Sequence, residues 1–299
     1  MRSEKEMMSL IITKAKQDDR ILAAYMKGSR TNPKVPKDIY RDFDIMYVVK
    51  ETDSFIMDTS WINFFGKVVL KQEQDDDYGY GERFGIRANY DESYSWLLLF
   101  SDGNRIDVGI ETINALNKGT NRNKLYLPLL DKIGCLPELP APTDEDFFVK
   151  KPSIKQFQGC CNEFFWCICD VSKGIARDEM PFAMTTYNTL VRNMMELMLN
   201  WYIGTRTDFS VSTGKLNKYF KKYLSEAIYQ RYLKTYTNGE YENFWCAIQV
   251  AIELFHDVAI WVGESIEATY PYTAEEAACG YMKNIRTQLA TLEKTDWTR

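Results

Sequence analysis

Hydrophobic and polar positions follow helix-like and strand-like patterns in different parts of the chain. Up to Asp18–Asp19, apolar residues recur every three or four positions, which predicts an amino-terminal helix. Apolar runs at Ile21–Met26, which Gly28 ends, and at Asp44–Val49 predict two buried strands. The segment between them, 30–41, contains two prolines and is predicted to be a turn or loop.

The pattern continues with mixed elements up to residue 110. A helix is predicted over 54–65, and the polar, glycine-containing segment Gln72–Asp91 is predicted to be a long loop or hairpin tip. Strands are predicted at Trp96–Phe100 and Arg105–Ile110. They flank Ser101–Asn104, whose composition is typical of a hairpin turn.

A change in pattern marks the best domain boundary. Four prolines surround an acidic patch in 137–153, and strand signals nearly vanish after it. We therefore predict an α+β protein with a catalytic domain at 1–136, a proline-rich linker at 137–153 and a helical bundle at 154–299. Helical periodicity predicts the bundle's helices at Phe157–Ile175, Phe182–Ile203, Tyr219–Tyr236, Tyr241–Glu267 and Ala274–Leu292.

Composition and charge narrow the class of partner. The formal net charge is −5, so a polynucleotide partner is disfavoured and a cationic small substrate suits the chain better. The amino terminus lacks the apolar run of a signal peptide, and no stretch approaches a bilayer span, so we expect a cytoplasmic protein without a membrane partner. Seven cysteines with one histidine favour reduced thiols over a zinc site. The oligomeric state is expected to be a monomer or a homodimer.

Two acidic residues at the second strand carry the first chemical signal. Asp42 and Asp44 alternate with Phe43 and Ile45, so along a strand both carboxylates share one face. Such a pair alone is typical of a solvated strand end. Two carboxylates on one face repel each other unless a cation lies between them, and Mg²⁺ prefers oxygen ligands of this kind.

A third acidic residue fits the same face. Ile106 and Val108 are apolar, so Asp107 projects to the opposite side of its strand. If this strand lies beside the Asp42–Asp44 strand, three carboxylates converge on one or two Mg²⁺ ions. Two such ions can activate an attacking oxygen and stabilise a leaving pyrophosphate together.

The turn after the first strand supplies candidate phosphate contacts. Gly28 lets the backbone approach a phosphate closely, and the Ser29 hydroxyl and nearby N–H groups can bind its oxygens. Arg30 can add charge-assisted hydrogen bonds. A Gly-Ser turn, a paired aspartate motif after twelve intervening residues and a third strand aspartate are together a strong signal for nucleotide binding.

These residues resemble the signature of the DNA polymerase β nucleotidyltransferase superfamily. More narrowly, the chain resembles bacterial aminoglycoside 6-adenylyltransferases (streptomycin adenylyltransferases) over nearly its whole length. This resemblance implies a polymerase β-like domain with a mixed sheet and flanking helices, AMP transfer from ATP to a streptomycin hydroxyl, and metal binding by Asp42, Asp44 and Asp107. The matching segments are Asp18–Ile21, Gly28–Asn32, Asp42–Ile45, Ile106–Asp107, Pro142–Asp146, Cys160–Phe164, Lys173–Gly174 and Trp201–Gly204.

Two further site residues are predicted from the helical half. Glu179 is a candidate general base for the attacking hydroxyl; Glu82 in the long loop, or one of the three aspartates, is the alternative. Lys173 either binds the triphosphate or is a lysine favoured by the helix dipole near a carboxyl-terminal end. His256 lies in an apolar helix and is interpreted as structural.

The acceptor leaves other hypotheses open. Another aminocyclitol, a lincosamide or a protein hydroxyl would use the same chemistry. A non-catalytic nucleotide-binding module is disfavoured by the three intact aspartates. A group of acidic residues in the helical half suits guanidinium or ammonium groups of an aminoglycoside. These residues are Glu163, Asp170, Asp178 and Glu179.

Overall fold

A computed structural model of the 299-residue chain describes residues 1–76, 89–119 and 123–292, with side chains up to 289. Most of the predicted loop Gln72–Asp91, including Glu82, lies outside these residues. The chain divides into two compact units, 1–146 and 147–299.

The first unit is a six-stranded sheet with short helices. Its strand order is β3-β4-β5-β2-β1-β6. Its elements are α1 (Glu4–Gln17), β1 (Ile21–Lys27), β2 (Phe43–Val49), α2 (Asp53–Met57), β3 (Val68–Glu73), β4 (Ser93–Phe100), β5 (Arg105–Thr112), α3 (Ile113–Lys118) and β6 (Tyr126–Asp131).

The sheet is mixed, as the family resemblance implied. Strands β2 and β5 lie in parallel at its centre, and every other neighbouring pair is antiparallel. β2 and β5 are far apart in the chain, and a parallel pair requires a long crossover rather than a tight turn. Here α2, β3 and β4 occupy that crossover.

The two faces of the sheet are buried by different side chains. One face carries a large apolar cluster that α1 covers with Met7, Ile11 and Ala15. The other face carries a small cluster that includes Tyr25 and Met46. Because side chains alternate along a strand, the second face is also the face of Asp44 and Asp107.

The second unit is helical. The stacked rings of Phe164 and Phe255, 3.9 Å apart and fully buried, lie in its core. Its helices are α4 (Ile154–Ala176), α5 (Met180–Thr186), α6 (Arg192–Arg206), α7 (Phe220–Tyr223), α8 (Glu226–Leu233), α9 (Tyr241–Ser265) and α10 (Tyr272–Leu292). A π-helical turn, Tyr187–Val191, joins α5 to α6. The predicted α+β class is confirmed.

Several predicted elements differ in detail. The helix predicted over 54–65 divides at Asp58, whose side chain accepts a hydrogen bond from the Ser60 N–H and begins a 3₁₀ turn. Strands β3 and β6 were not predicted. Both lie at sheet edges, β3 is largely exposed, and β6 contains Pro128, which weakens a strand signal.

The prediction that no stretch approaches a bilayer span is wrong for one helix among the described residues, because α9 is long and apolar enough to cross a membrane. In its most apolar 18-residue window, 56% is buried inside the fold. α9 packs on α6, α8 and α4. Packing therefore accounts for its apolar character.

The amino-terminal cap of α4 gives a stability prediction. The Ser153 hydroxyl accepts from the Gln156 N–H at 3.2 Å, and the Gln156 amide oxygen accepts from the Ser153 N–H at 2.8 Å. Ser153→Ala removes one acceptor and should lower the free energy of unfolding by about 1 kcal/mol, measured by urea titration. Ser153→Asp keeps an acceptor, so it should lose less; an equal loss in both variants would contradict the capping role.

Candidate active site

The central parallel strands bring two of the predicted acidic residues side by side. Asp44 on β2 and Asp107 on β5 are direct Cα partners in the parallel register. Their strand neighbours Phe43 and Ile106 are buried on the opposite face, so both aspartates project from the same face. Asp42 lies one residue before β2 and is therefore outside the ladder.

Asp44 lies in a negatively charged environment. Its pKa is raised to about 6, first by burial and then by the charges of Asp107 and Asp42. Lys27 and Arg30 act in the opposite direction and lower it. The three predicted acidic residues are thus within electrostatic reach of one another.

Two basic residues that were not among the predicted site residues lie in this group. Lys27, the last residue of β1, is the Cα partner of Asp44. The guanidinium nitrogens of Arg105 lie 3.5 Å from an Asp42 oxygen and 3.6 Å from an Asp107 oxygen. Sequence signals existed for both: Lys27 directly precedes the Gly28 turn, and Arg105 is two positions before Asp107 and so shares its face.

The carboxylates are not assembled around a common point. Within 1–76, 89–119 and 123–292, no three His, Cys, Asp or Glu side chains are arranged to hold a metal ion. Arg105 instead lies between Asp42 and Asp107. The donor chemistry nevertheless fits a hard divalent cation, because the group consists of carboxylate oxygens; after burial, the charges of Asp107 and Asp42 also raise the pKa of Asp44.

Gly28 is required by both conformation and space. Its φ of +77° lies in the region that favours glycine. A Cβ at this position would lie 2.1 Å from the Asp44 Oδ2 atom, so the carboxylate occupies the space that a side chain would fill. Ser29 follows in the same 3₁₀ turn, Gly28–Arg30, and is half-buried. The turn and Asp44 therefore form one unit of structure.

Arg30 contacts the protein rather than open solvent. Its guanidinium donates to the carbonyl oxygens of Asp42 at 2.9 Å and Arg41 at 2.6 Å, and lies 3.6 Å from the Phe43 ring centroid. Burial lowers its pKa. In this structure the residue positions the segment that enters β2, and its contact with phosphate stays a prediction.

The two predicted site residues of the second unit have different surroundings. The Lys173 ammonium lies 2.6 Å from an Asp170 carboxylate oxygen, one turn earlier on α4. Glu179 is exposed at the start of α5 and makes no capping hydrogen bond. It follows Asp178, whose φ is +58° and which accepts from the Tyr241 hydroxyl. Catalytic roles for Lys173 and Glu179 stay predictions.

The remaining titratable groups have structural environments. All seven cysteines are unpaired thiols. Burial raises the pKa of Cys161 to about 12, which keeps it protonated at neutral pH. His256 Nδ1 lies 2.8 Å from Glu275 and packs edge-on to Tyr270, in agreement with its structural interpretation.

Comparisons with known proteins show the family to which the chain belongs. Residues 1–285 match the family described as streptomycin adenylyltransferase. Over 272 residues the chain is 34% identical to aminoglycoside 6-adenylyltransferase of Bacillus subtilis (strain 168), covering 91% of this chain and 94% of that protein. It is 33% identical over 276 residues to the enzyme of that name from Campylobacter jejuni, with 92% and 93% coverage.

A third relative, aminoglycoside 6-adenylyltransferase of Staphylococcus aureus, is 31% identical over 256 residues, 85% of this chain and 89% of that protein. A solved structure, an aminoglycoside 6-adenyltransferase from Bacillus subtilis, aligns over 96% of this chain and 99% of that one, with 28% identity and a TM-score of 0.47. The chain is an enzyme of the nucleotidyltransferase class. It belongs to the streptomycin adenylyltransferase family.

A comparison of Gly28 with Gly134 distinguishes the cost of a left-handed backbone conformation from the cost of a steric clash. Gly134 has a φ of +70°, and apart from the glycine and its two chain neighbours no atom of the described residues lies within 4 Å of the position that a Cβ would take there, whereas a Cβ at Gly28 meets Asp44. Gly134→Ala should lower the free energy of unfolding by about 1–2 kcal/mol, the cost of a left-handed conformation. Gly28→Ala adds displacement of the carboxylate, so urea titration should show a larger loss. Equal losses would contradict the steric role of Gly28.

The negative charge around Asp44 predicts that removal of this carboxylate raises the stability of the folded protein in a pH-dependent way. Because the pKa of Asp44 is higher in the folded protein than in the unfolded chain, its contribution to stability is present below about pH 4 and is lost as pH rises through about 6. Without added metal, Asp44→Asn should therefore raise the free energy of unfolding at pH 7.5 by roughly 1–3 kcal/mol, measured by urea titration.

The control variant should change the free energy of unfolding in the opposite direction. Arg2 holds the pKa of Asp102 well below its usual range, so Asp102→Asn should lower stability at pH 7.5. For Asp44→Asn the gain should shrink as the pH is lowered toward 4. A variant less stable than wild type at every pH would show that the carboxylate is not under electrostatic strain.

Proposed function

We propose that this enzyme transfers AMP from ATP to a hydroxyl of an aminoglycoside, with the 6-hydroxyl of streptomycin as the acceptor. The observation that carries the proposal is the register of Asp44 beside Asp107, with the Gly28 turn against the Asp44 carboxylate. The names of the family and of its relatives support the choice of donor and acceptor. Modification of the antibiotic inside the cytoplasm would give resistance.

The first unit would hold the nucleotide. Asp42, Asp44 and Asp107 would hold Mg²⁺, with Arg105 displaced from Asp42 and Asp107. When bound, Mg²⁺ neutralises charge on the phosphates and favours departure of pyrophosphate. The backbone N–H groups of the turn and the Ser29 hydroxyl would bind phosphate oxygens.

The basic residues around the turn have two different tasks. Arg30 keeps Asp42 in place through the carbonyl oxygens that it binds. Lys27, the direct partner of Asp44, adds positive charge next to the place where the phosphates would lie. Together they offset part of the repulsion among the carboxylates when no cation is bound.

The reaction forms one bond and breaks one. The acceptor hydroxyl oxygen bonds to the α-phosphorus of ATP, and the bond from that phosphorus to the bridging oxygen of the β-phosphate breaks. Glu179 would take the hydroxyl proton, because its carboxylate is exposed and makes no capping hydrogen bond to the helix that it precedes. Lys173 would contact the triphosphate. Pyrophosphate leaves with the electron pair of the broken bond.

The test combines purified protein, ATP, Mg²⁺ and streptomycin, and measures pyrophosphate release and the product mass. We expect a gain of one AMP unit at one hydroxyl. Asp44→Asn should cut kcat by about 10³-fold or more while the protein stays folded, because it removes charge stabilisation of the transition state. Asp257→Asn, in an exposed ion pair with Arg231, is the matched control and should keep wild-type turnover.

An acceptor panel of other aminocyclitols, lincosamides and protein hydroxyls separates the remaining acceptors. Turnover only with another acceptor would remove streptomycin and keep the chemistry. ATP binding without turnover on any acceptor would contradict the proposed enzyme. Near-wild-type turnover in Asp44→Asn would contradict the role of that residue.

A further inference from the structure

The acidic patch Asp144–Asp146 is bound to the first unit by each of its three side chains. The Glu145 carboxylate lies 2.7 Å from the Lys124 ammonium, and the Asp146 carboxylate accepts from the Lys124 backbone N–H at 2.7 Å. Glu145 and Lys124 are both about half exposed. Asp144 differs from its two neighbours, because it is only 8% exposed and its partners lie in another segment of the unit.

Asp144 binds the segment that follows the Gly28–Arg30 turn. One of its carboxylate oxygens accepts from the Asn32 side-chain amide at 3.3 Å, and the other lies 2.9 Å from the Lys34 ammonium. The Asn32 amide oxygen accepts from the Lys34 backbone N–H at 2.9 Å. This bond uses the oxygen of the amide, so the amide nitrogen is the group available to donate to Asp144.

Asn32 connects Asp144 to the turn itself. The backbone N–H of Asn32 donates to the Ser29 carbonyl oxygen at 3.3 Å. Thr31 donates to the Gly28 carbonyl oxygen with its N–H at 3.2 Å and with its hydroxyl at 2.8 Å. Thr31 and Asn32 are both buried. A shift of Asn32 would therefore move the turn, whose N–H groups are the proposed phosphate contacts.

Two carboxylates thus restrain the two ends of the turn. Asp44 occupies the space beside Gly28 at its amino-terminal end. Asp144 holds Asn32 just beyond its carboxyl-terminal end. The second carboxylate comes from a residue 112 positions later in the chain than Asn32.

We propose that Asp144 is a positioning residue for the nucleotide: through Asn32, it holds the backbone of the Gly28–Arg30 turn in the conformation that binds the triphosphate. The inference rests on the proposed function, which assigns the phosphates to this turn. Asp144 contacts neither substrate in this role. It acts on ATP binding only through the hydrogen bonds of the segment that follows the turn.

The negative charge of Asp144 distinguishes this role from simple packing. A carboxylate accepts hydrogen bonds with both oxygens, and its bonds to an amide and to an ammonium are stronger than those of a neutral group. Asp144→Asn keeps the size of the side chain but replaces one acceptor by a donor. Either the Asn32 amide or the Lys34 ammonium would then face an N–H group, and a buried donor without an acceptor is costly.

The experiment compares Asp144→Asn with Glu145→Gln, a matched control at the next residue that breaks only the surface ion pair with Lys124. Two further variants test the contact itself. Asn32→Asp sets a second carboxylate against Asp144, and Asn32→Asp combined with Asp144→Asn restores an amide opposite a carboxylate. The full-length proteins are compared by Kd for ATP with Mg²⁺ in the absence of acceptor, by KM for ATP and for streptomycin, and by melting temperature.

Asp144→Asn should raise Kd and KM for ATP by about 10-fold or more, as expected for the loss of one hydrogen bond to a charged group. KM for streptomycin should stay near wild type, and Glu145→Gln should match wild type throughout. Asn32→Asp should weaken ATP binding at least as much, and the double variant should recover most of that loss. A purely structural role would lower the folded fraction, and with it the apparent kcat, without changing Kd for ATP.

The outcomes separate failure of the positioning role from failure of the proposed function. A wild-type Kd for ATP in folded Asp144→Asn would overturn the positioning role alone. If that variant does not fold, a double variant that folds but binds ATP no better than Asn32→Asp would overturn it as well. Wild type that binds ATP without turnover on any acceptor would overturn the proposed function, and the Kd values would still decide the role of Asp144. Wild type that does not bind ATP would overturn both.

Discussion

The site depends on repulsion between acidic side chains that the sheet holds side by side. Parallel pairing of β2 with β5 places Asp44 against Asp107, and neither can turn away without breaking the register that buries Phe43 and Ile106. Apolar packing on one face of the sheet therefore maintains an unfavourable charge arrangement on the other. Lys27 and Arg105 offset part of this cost in the metal-free protein.

The helical unit distributes its chemistry in a similar way. Packing uses one side of α4 almost completely, down to small residues such as Gly174, where a Cβ would meet Phe182 at 2.8 Å. Polar and aromatic residues are left on the other side. In both units the candidate functional side chains therefore lie on the face of a strand or helix opposite its buried face. Packing of the buried face determines where these side chains point.

Much of the fold and part of the site could be predicted from local patterns. Strands β1, β2, β4 and β5 and the helices after residue 153 carry clear periodicity, and the alternation around Asp107 gave its direction correctly. The parallel neighbourhood of β2 and β5 could not be predicted, because it joins segments about sixty residues apart through contacts with no local signal. The edge strands β3 and β6 were missed although both contain apolar residues. β3 runs into the polar segment that begins at Gln72, and β6 contains Pro128, which weakens a strand signal.

The hydrogen-bond partners of individual side chains could also not be predicted from local sequence patterns. Arg30 follows the turn, as a phosphate ligand would, yet its donors bind carbonyl oxygens of Arg41 and Asp42, and this could be seen only from the path of that loop. Asp42 was expected within a strand and lies just before it. Such outcomes depend on distances between segments, whereas periodicity reports only the face of an element.

The missing side chain at Gly28 has an evolutionary consequence. The Asp44 carboxylate occupies the volume where a Cβ would lie, so position 28 has no space for a side chain and glycine is required there. Every nucleotide change that alters a glycine codon to that of another residue adds such a side chain. Variation at this codon is therefore expected to be purged wherever the activity is under selection, while exposed positions of the neighbouring loop, such as Ile39 and Tyr40, are free to drift.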